Sequence, residues 1–362
     1  MNNVPAPYSL VKPSDTPKVV CLQEFAVSVT VQASYQHNRS ALPRNVPTNC
    51  GSPDKSVTRP DRAPPRRHGH NGVMPANRIP YERYFEVSAM PEPGVPMHSY
   101  DYLCRLTSDV LETSPVWDTH AHVGRDRDGR ELDFIGLLRD LDDYRVNGAV
   151  IFPFNDPEQG TDFRVPNDRV WDAYRAAPER FVPFMRLNPN GPWEDEYERC
   201  RDRGHRGIKL HPRAQDFALN APVAMEIYAR AATDRLPVLV HTGYGMGAVS
   251  DDLAGIAGAL PDLRLILGHS TFIDMPRAVA VLAPYPNVYF ETSVVQAFDL
   301  FAVLDAIDPA RVLYGSDLPY GSSAHALHEL AVMANIAGVH PAHYADLFGG
   351  NLLRLLDSKA HR

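Results

Sequence analysis

Eight short apolar runs, rich in β-branched residues, recur from residue 115 onward, and most are followed by a stretch whose apolar residues return at helical spacing. The runs are PVWDTHAH (115–122), GAVIFPF (148–154), FVPFMRLNP (181–189), GIKLHP (207–212), LPVLVHTG (236–243), LRLILGHS (263–270), NVYFETS (287–293) and RVLYGSD (311–317). Between them lie helix-like segments such as LDFIGLLRDLDDY, DRVWDAYRAA, APVAMEIYARAATD, DDLAGIAGAL, MPRAVAVLA and AFDLFAVLDAI. Starts roughly 25–33 residues apart over about 240 residues match the size of a (β/α)8 TIM barrel. A doubly wound open sheet also alternates strand and helix. Closure is favoured because polar residues end so many of the runs: His120 and His122, Lys209 and His211, His241, His269 and Asp317.

The first quarter of the chain reads differently. Fifteen of the 33 prolines precede residue 100, and RPDRAPPRRHGH (59–70) is basic and without periodicity. Residues 1–97 are therefore expected to be a largely disordered extension, with Val19–Val31 as its one β-rich segment, and residues 98–362 to form the barrel. Met74, Met90 and Met97 lie late in that extension, so a chain starting near Met90 is expected to fold and work without it.

Composition narrows the function. A formal charge of −8 without a long basic block argues against a nucleic-acid binder, which needs a positive footprint for phosphate. Cys21, Cys50, Cys104 and Cys200 show no close pairing, so neither a disulfide framework nor a cysteine zinc site is expected. No apolar run is long enough to span a bilayer, and the N-terminus lacks the pattern of a secretory leader. A soluble cytoplasmic protein with a small-molecule partner, and neither nucleic acid nor membrane, is the expectation.

The chemistry starts at Asp118-Thr119-His120-Ala121-His122. Residues i and i+2 of a strand share a face, so two imidazoles can hold one divalent cation at about 2.0–2.1 Å per nitrogen. With 15 histidines such a pair is weak alone, and His68-Gly69-His70 supplies the contrast: the same spacing with no strand to aim it. Context separates them. His241, His269 and Asp317 end other strands, and a closed barrel brings those ends to one rim.

WDTHAH, GIKLHP, VLVHTG, LILGHS, LYGSD and GGNLLRLL together resemble the amidohydrolase superfamily, in particular the amidohydrolase-related branch that includes aminocarboxymuconate semialdehyde decarboxylase. The resemblance spans roughly residues 115–357. It implies a divalent metal, zinc first and manganese second, held by His120, His122, His241 and Asp317, with His269 at the reacting centre or on a second ion. It also suggests a homodimer.

A cation so held lowers the pKa of bound water toward about 7. Asp317 then either accepts the water proton through its second oxygen, as the resemblance implies, or serves only as an electrostatic anchor, and His269 is expected to polarise a carbonyl or shuttle a proton. Lys209 has three open readings: a carboxylated bridge between two metals, a partner for substrate or a carboxylate, or a structural group. His211 is expected to contact substrate. Arg186, Asn188, Arg213 and Tyr244 follow strands on the rim, where an arginine can fork a carboxylate, and Glu291 can orient a ligand imidazole. The glycines 243, 245 and 247 have the wrong spacing and context for a dinucleotide loop. Three functions are consistent with this reading. The first is hydrolysis of a small anionic substrate by metal-activated water. Non-oxidative decarboxylation of an unsaturated or aromatic acid is the second, and a barrel that only binds is the third.

Overall fold

The computed structural model describes residues 99–357; the extension, with the segment expected at 19–31 and the His68–His70 pair, lies outside the described residues. Helix α1 (Ser99–Thr113) comes first. The strands that follow are β1 (Trp117–Arg125), β2 (Glu131–Leu132), β3 (Gly148–Pro153), β4 (Phe181–Pro183), β5 (Met185–Arg186), β6 (Ile208–Leu210), β7 (Val238–His241), β8 (Leu265–Gly268), β9 (Val288–Glu291) and β10 (Val312–Leu313). Their connections carry α2 (Phe134–Asp143), α3 (Arg164–Ala176), α4 (Trp193–Arg203), α5 (Pro212–Gln215), α6 (Pro222–Asp234), α7 (Ser250–Ala259), α8 (Met275–Leu282), α9 (Ala297–Ala306) and α10 (Ser323–Ile336), and α11 (Asn351–Leu356) ends the described chain.

The main strands run parallel in chain order. β4 and β5 are halves of one strand: the Phe184 N–H between them donates to Ile151 O at 2.9 Å, and the Met185 N–H turns to Gly207 O at 2.9 Å. The barrel closes beyond β10. Thr119 N–H donates to Tyr314 O (2.9 Å), Asp317 N–H to His120 O (2.8 Å) and His122 N–H to Leu318 O (2.9 Å), so residues 314–318 lie along β1. The short β2 folds back antiparallel on the end of β1.

Side chains alternate between two cores, as strand geometry requires. Val150, Phe152, Val182, Phe184, Leu239, Ile266 and Leu313 fill the interior together with Leu352, Leu355 and Leu356 of α11. That helix caps the N-terminal end, where Arg206 and Arg264 donate to the carbonyls of Leu356 and Leu355. Ala149, Ile151, Ile208, Leu210, Val238, Val240, Leu265 and Leu267 face outward onto the helices. Gly207 is required where it is, because a Cβ there would overlap the Phe184 ring.

Helix α4, WEDEYERCRDR, is dominated by charge, so apolar periodicity alone does not mark it. Its buried face is Trp193, Glu196, Tyr197 and Cys200, which is helical spacing with a carboxylate on the stripe. Glu196 is buried because Arg199 and Asn167 bond it. Acids in the first turn and arginines in the last also suit the helix dipole. Phe184 is fully buried, so Phe184→Ala should lower unfolding free energy by about 3–5 kcal/mol in urea melts; a loss under about 1 kcal/mol would contradict this account of the interior.

Candidate active site at the C-terminal rim

β1 does not present its histidines by simple alternation. Asp118 pairs with Ala149 and Ala121 with Ile151, so three residues of β1 span two of β3. Ala149 and Ile151 both face outward. Unbroken alternation from Asp118 would turn His120 outward as well, and the bulge turns both His120 and His122 inward.

Glu291, at the end of β9, sets the orientation of His120. Its Oε2 lies 2.8 Å from His120 Nδ1 and also accepts the His269 N–H at 3.1 Å. An ionised carboxylate accepts only, so Nδ1 carries hydrogen and Nε2 is presented to the rim. His120 Nε2 is 3.1 Å from Asp317 Oδ1, and His122 Nε2 is 3.2 Å from the same oxygen. Asp317 reaches this position through a left-handed backbone (φ 59°). Lys209 Nζ sits 3.0 Å from His120 Nε2.

The electrostatics follow from burial. Burial and Lys209 push the His120 pKa down, yet Asp317 and Glu291 carry it above its usual value. Burial opposes ionisation of Asp317, but His120 and His122 hold it well below the usual carboxylate range. Burial, with the neighbouring charges of His120 and Lys209, brings His122 and His269 to about 4, and burial with Arg186 brings Lys209 to about 7.

His269 also escapes simple alternation. It begins three consecutive left-handed residues (φ 70°, 50° and 61°), and its ring lies against His120 with centroids 4.9 Å apart. Its Nδ1 faces Ser293 O (3.2 Å) and Ser293 Oγ (2.9 Å). A carbonyl cannot donate, so Nδ1 carries hydrogen and Nε2 a lone pair. His241 Nε2 faces Tyr244 O at 3.1 Å, which leaves the His241 lone pair on Nδ1. Those two lone pairs meet at 3.1 Å. Such an arrangement is stabilised by a shared proton or a nearby cation, and burial holds both rings well below or at the low end of the imidazole range.

His120, oriented through Nδ1 by Glu291, stands with His122 and the Asp317 carboxylate as a buried donor set that could hold a divalent cation, although His122 Nδ1 has no partner among the described residues. His120, His122 and Asp317 form one group with mutually close ligand atoms; His120, His269 and Glu291 form another. His241 is not in either group and stands beside them through His269.

A family model described as amidohydrolase matches residues 117–357. The chain belongs to that family. Among solved structures, 2,6-dihydroxybenzoate decarboxylase from Rhizobium is 16% identical, with a TM-score of 0.52, over 67% of this chain and 99% of that one. 5-Carboxyvanillate decarboxylase from Sphingomonas paucimobilis is 16% identical, with a TM-score of 0.51, over 67% and 99%. An uncharacterised TIM-barrel protein from Bordetella bronchiseptica is 17% identical, with a TM-score of 0.51, over 71% and 90%. These likenesses are of fold. No curated protein sequence matches the chain. No described helix is long and apolar enough to cross a membrane.

The rest of this amidohydrolase rim surrounds a cavity of about 420 Å³. Arg186, fully buried, lines it from β5: Nη1 donates to Pro153 O at 3.2 Å, while Nε and Nη2 have no partner. Burial lowers its pKa only to about 10, so it stays charged. His211 caps α5 through Nδ1 and stacks on His241 with centroids 3.8 Å apart. Arg213 is exposed and lies across Gly245, whose left-handed φ of 81° and missing side chain leave room for it. Tyr244 is exposed at the mouth, edge-on to Phe272. Asn188 is turned away and donates to Thr161 O.

The sequence reading missed Ser293, which stands two residues beyond the end of β9. It also missed Asp126 and Tyr320, which are bonded to each other at 2.7 Å over the cavity.

Protonation should be readable as stability. For His122 and His269 the unfolded state binds more protons between the ordinary imidazole pKa of about 6.5 and about 4, so metal-free protein should lose stability as pH falls through that interval. His269→Gln should flatten the slope in urea melts at successive pH values; an unchanged slope would contradict a buried neutral His269.

Proposed function

We propose that this chain is a metal-dependent hydrolase of a small carboxylic acid, acting at a carbonyl or related carbon of the substrate. The observation that carries the reading is Arg186. Its Nε–H and Nη2–H lie on one edge of the guanidinium and are both unsatisfied, an arrangement that fits a carboxylate bidentately. Leaving two charged donors unpaired in a buried position is costly without such a partner.

Arg186 is on β5, whereas the candidate ligands lie on β1 and after β10. An acid anchored by Arg186 can therefore present a different group to His120, His122 and Asp317, which supports reaction away from the anchored carboxylate. Those three residues would hold the ion, with His241 and His269 beside it. When bound, the ion supplies Lewis acidity, lowering the pKa of water and polarising an oxygen. Zinc suits the nitrogen-rich set and manganese is the alternative.

The protein's own groups do the rest. Asp317, ionised and hydrogen-bonded through Oδ1, can accept a proton at Oδ2. His269 offers a neutral Nε2, held in that form by Ser293. Lys209, brought to about 7 by burial, exchanges a proton with little cost near neutrality. Phe152 and Phe154 pack against His122 and keep that wall dry.

Zinc-loaded protein should cleave lactones, esters or amides of small carboxylic acids, and Arg186→Met should raise KM about tenfold or more with a smaller change in kcat. Asp317→Asn should lower kcat by about a hundredfold or more. Release of CO₂ from unsaturated or aromatic acids without cleavage of any such substrate would replace hydrolysis by decarboxylation. Turnover indifferent to chelation would overturn the metal-dependent reading.

A further inference from the structure

We infer that Asp118 and Ser316 are positioning residues: a buried strut, outside the cavity, that sets where the His120 imidazole and the Asp317 carboxylate stand. The proposal rests on the cation reading of His120, His122 and Asp317 given above.

The need for a strut comes from the backbone. The bulge in β1 interrupts its pairing with β3, and β10, only two residues long, ends before the chain reaches the seam with β1. Interrupted pairing leaves N–H groups that must be satisfied in a buried place. Asp118, fully buried, meets that need. Its Oδ1 accepts the His120 N–H at 2.8 Å and the Ser316 N–H at 3.0 Å, and its Oδ2 accepts the Ser316 hydroxyl. Ser316 Oγ in turn accepts the Leu318 N–H at 3.2 Å.

The first of those N–H groups belongs to a candidate ligand, and the second belongs to the residue before another. One carboxylate thus ties together the backbones that carry His120 and Asp317, which are 197 positions apart in the sequence. The seam has little slack. A Cβ on Gly315 would overlap Glu291 Oε1 and come within 3.1 Å of His120 Cβ, so a shift of the 315–317 backbone would disturb the carboxylate that orients His120 as well. Neither Asp118 nor Ser316 lines the cavity. A change in either therefore reaches the ion only through the groups they hold.

A role confined to folding would lower thermal stability and leave ion affinity of the folded protein unchanged. The test is Zn²⁺ affinity of the full chain, by competition with a chromophoric chelator at a temperature where every variant is folded by circular dichroism. The parent should bind about one equivalent tightly. Asp118→Ala should weaken Zn²⁺ binding about 10–100-fold, the range expected when a group that orients ligands is removed. Asp118→Asn keeps an oxygen for both N–H groups and should stay within about threefold of the parent, with Ser316→Ala between the two. Parent-like affinity in folded Asp118→Ala overturns the proposal, as does a loss in Asp118→Asn equal to that in Asp118→Ala. If Asp118→Ala does not fold, Ser316→Ala decides, and parent-like affinity there overturns it. A parent that binds no Zn²⁺ is a separate outcome that overturns the cation reading itself and the strut's role with it.

Discussion

The site depends on one seam. Three backbone hydrogen bonds between β1 and residues 314–318 close the barrel, and the same bonds bring Asp317 beside His120 and His122. The hydrogen bonds that close the barrel therefore also place the candidate metal ligands. The barrel lets residues from distant parts of the chain converge because strand ends share a rim, but the seam decides which oxygen faces which nitrogen.

Charge burial explains why this region is specialised rather than stabilising. Glu291, Asp317, Lys209 and Arg186 are all buried. Each loses hydration that an apolar residue would not lose, and paired charges inside a protein often recover no more than that loss. The compensations are specific: Glu291 with the His120 Nδ1–H, Asp317 with two imidazoles, and Lys209 with the nearby charges of Asp317 and Glu291. Arg186 has only one of its donors satisfied besides its ring contact with Phe163. A cluster of this kind is what a cation and an anionic substrate would complete, and the apolar interior and outer layer beneath it supply the stability it lacks.

Much of this is legible in the sequence. The eight apolar runs mark the eight barrel strands because a strand buried on both faces must be apolar along its length. The strand-end histidines and Asp317 were legible because polar residues there break that pattern. What was hidden depends on backbone geometry rather than residue type. The bulge in β1 cannot be read from WDTHAH, and none of the three left-handed residues that deliver His269 is a glycine. His241 ends β7 as expected, yet its ring pairs with His269 and stacks on His211, a placement set by Tyr244 O rather than by its strand position. Helix α4 was obscured because its buried stripe includes Glu196, whose partners come from elsewhere in the chain. Ser293 was overlooked because a single serine carries no signal until the groups around it are known.

The central claim is that His120, His122 and Asp317 surround a common cation. Anomalous diffraction at the zinc edge from crystals of zinc-loaded protein tests it most directly. The account predicts a peak within bonding distance of Nε2 of both histidines and of the Asp317 carboxylate. Fully loaded protein whose only peaks lie away from these three residues would contradict it.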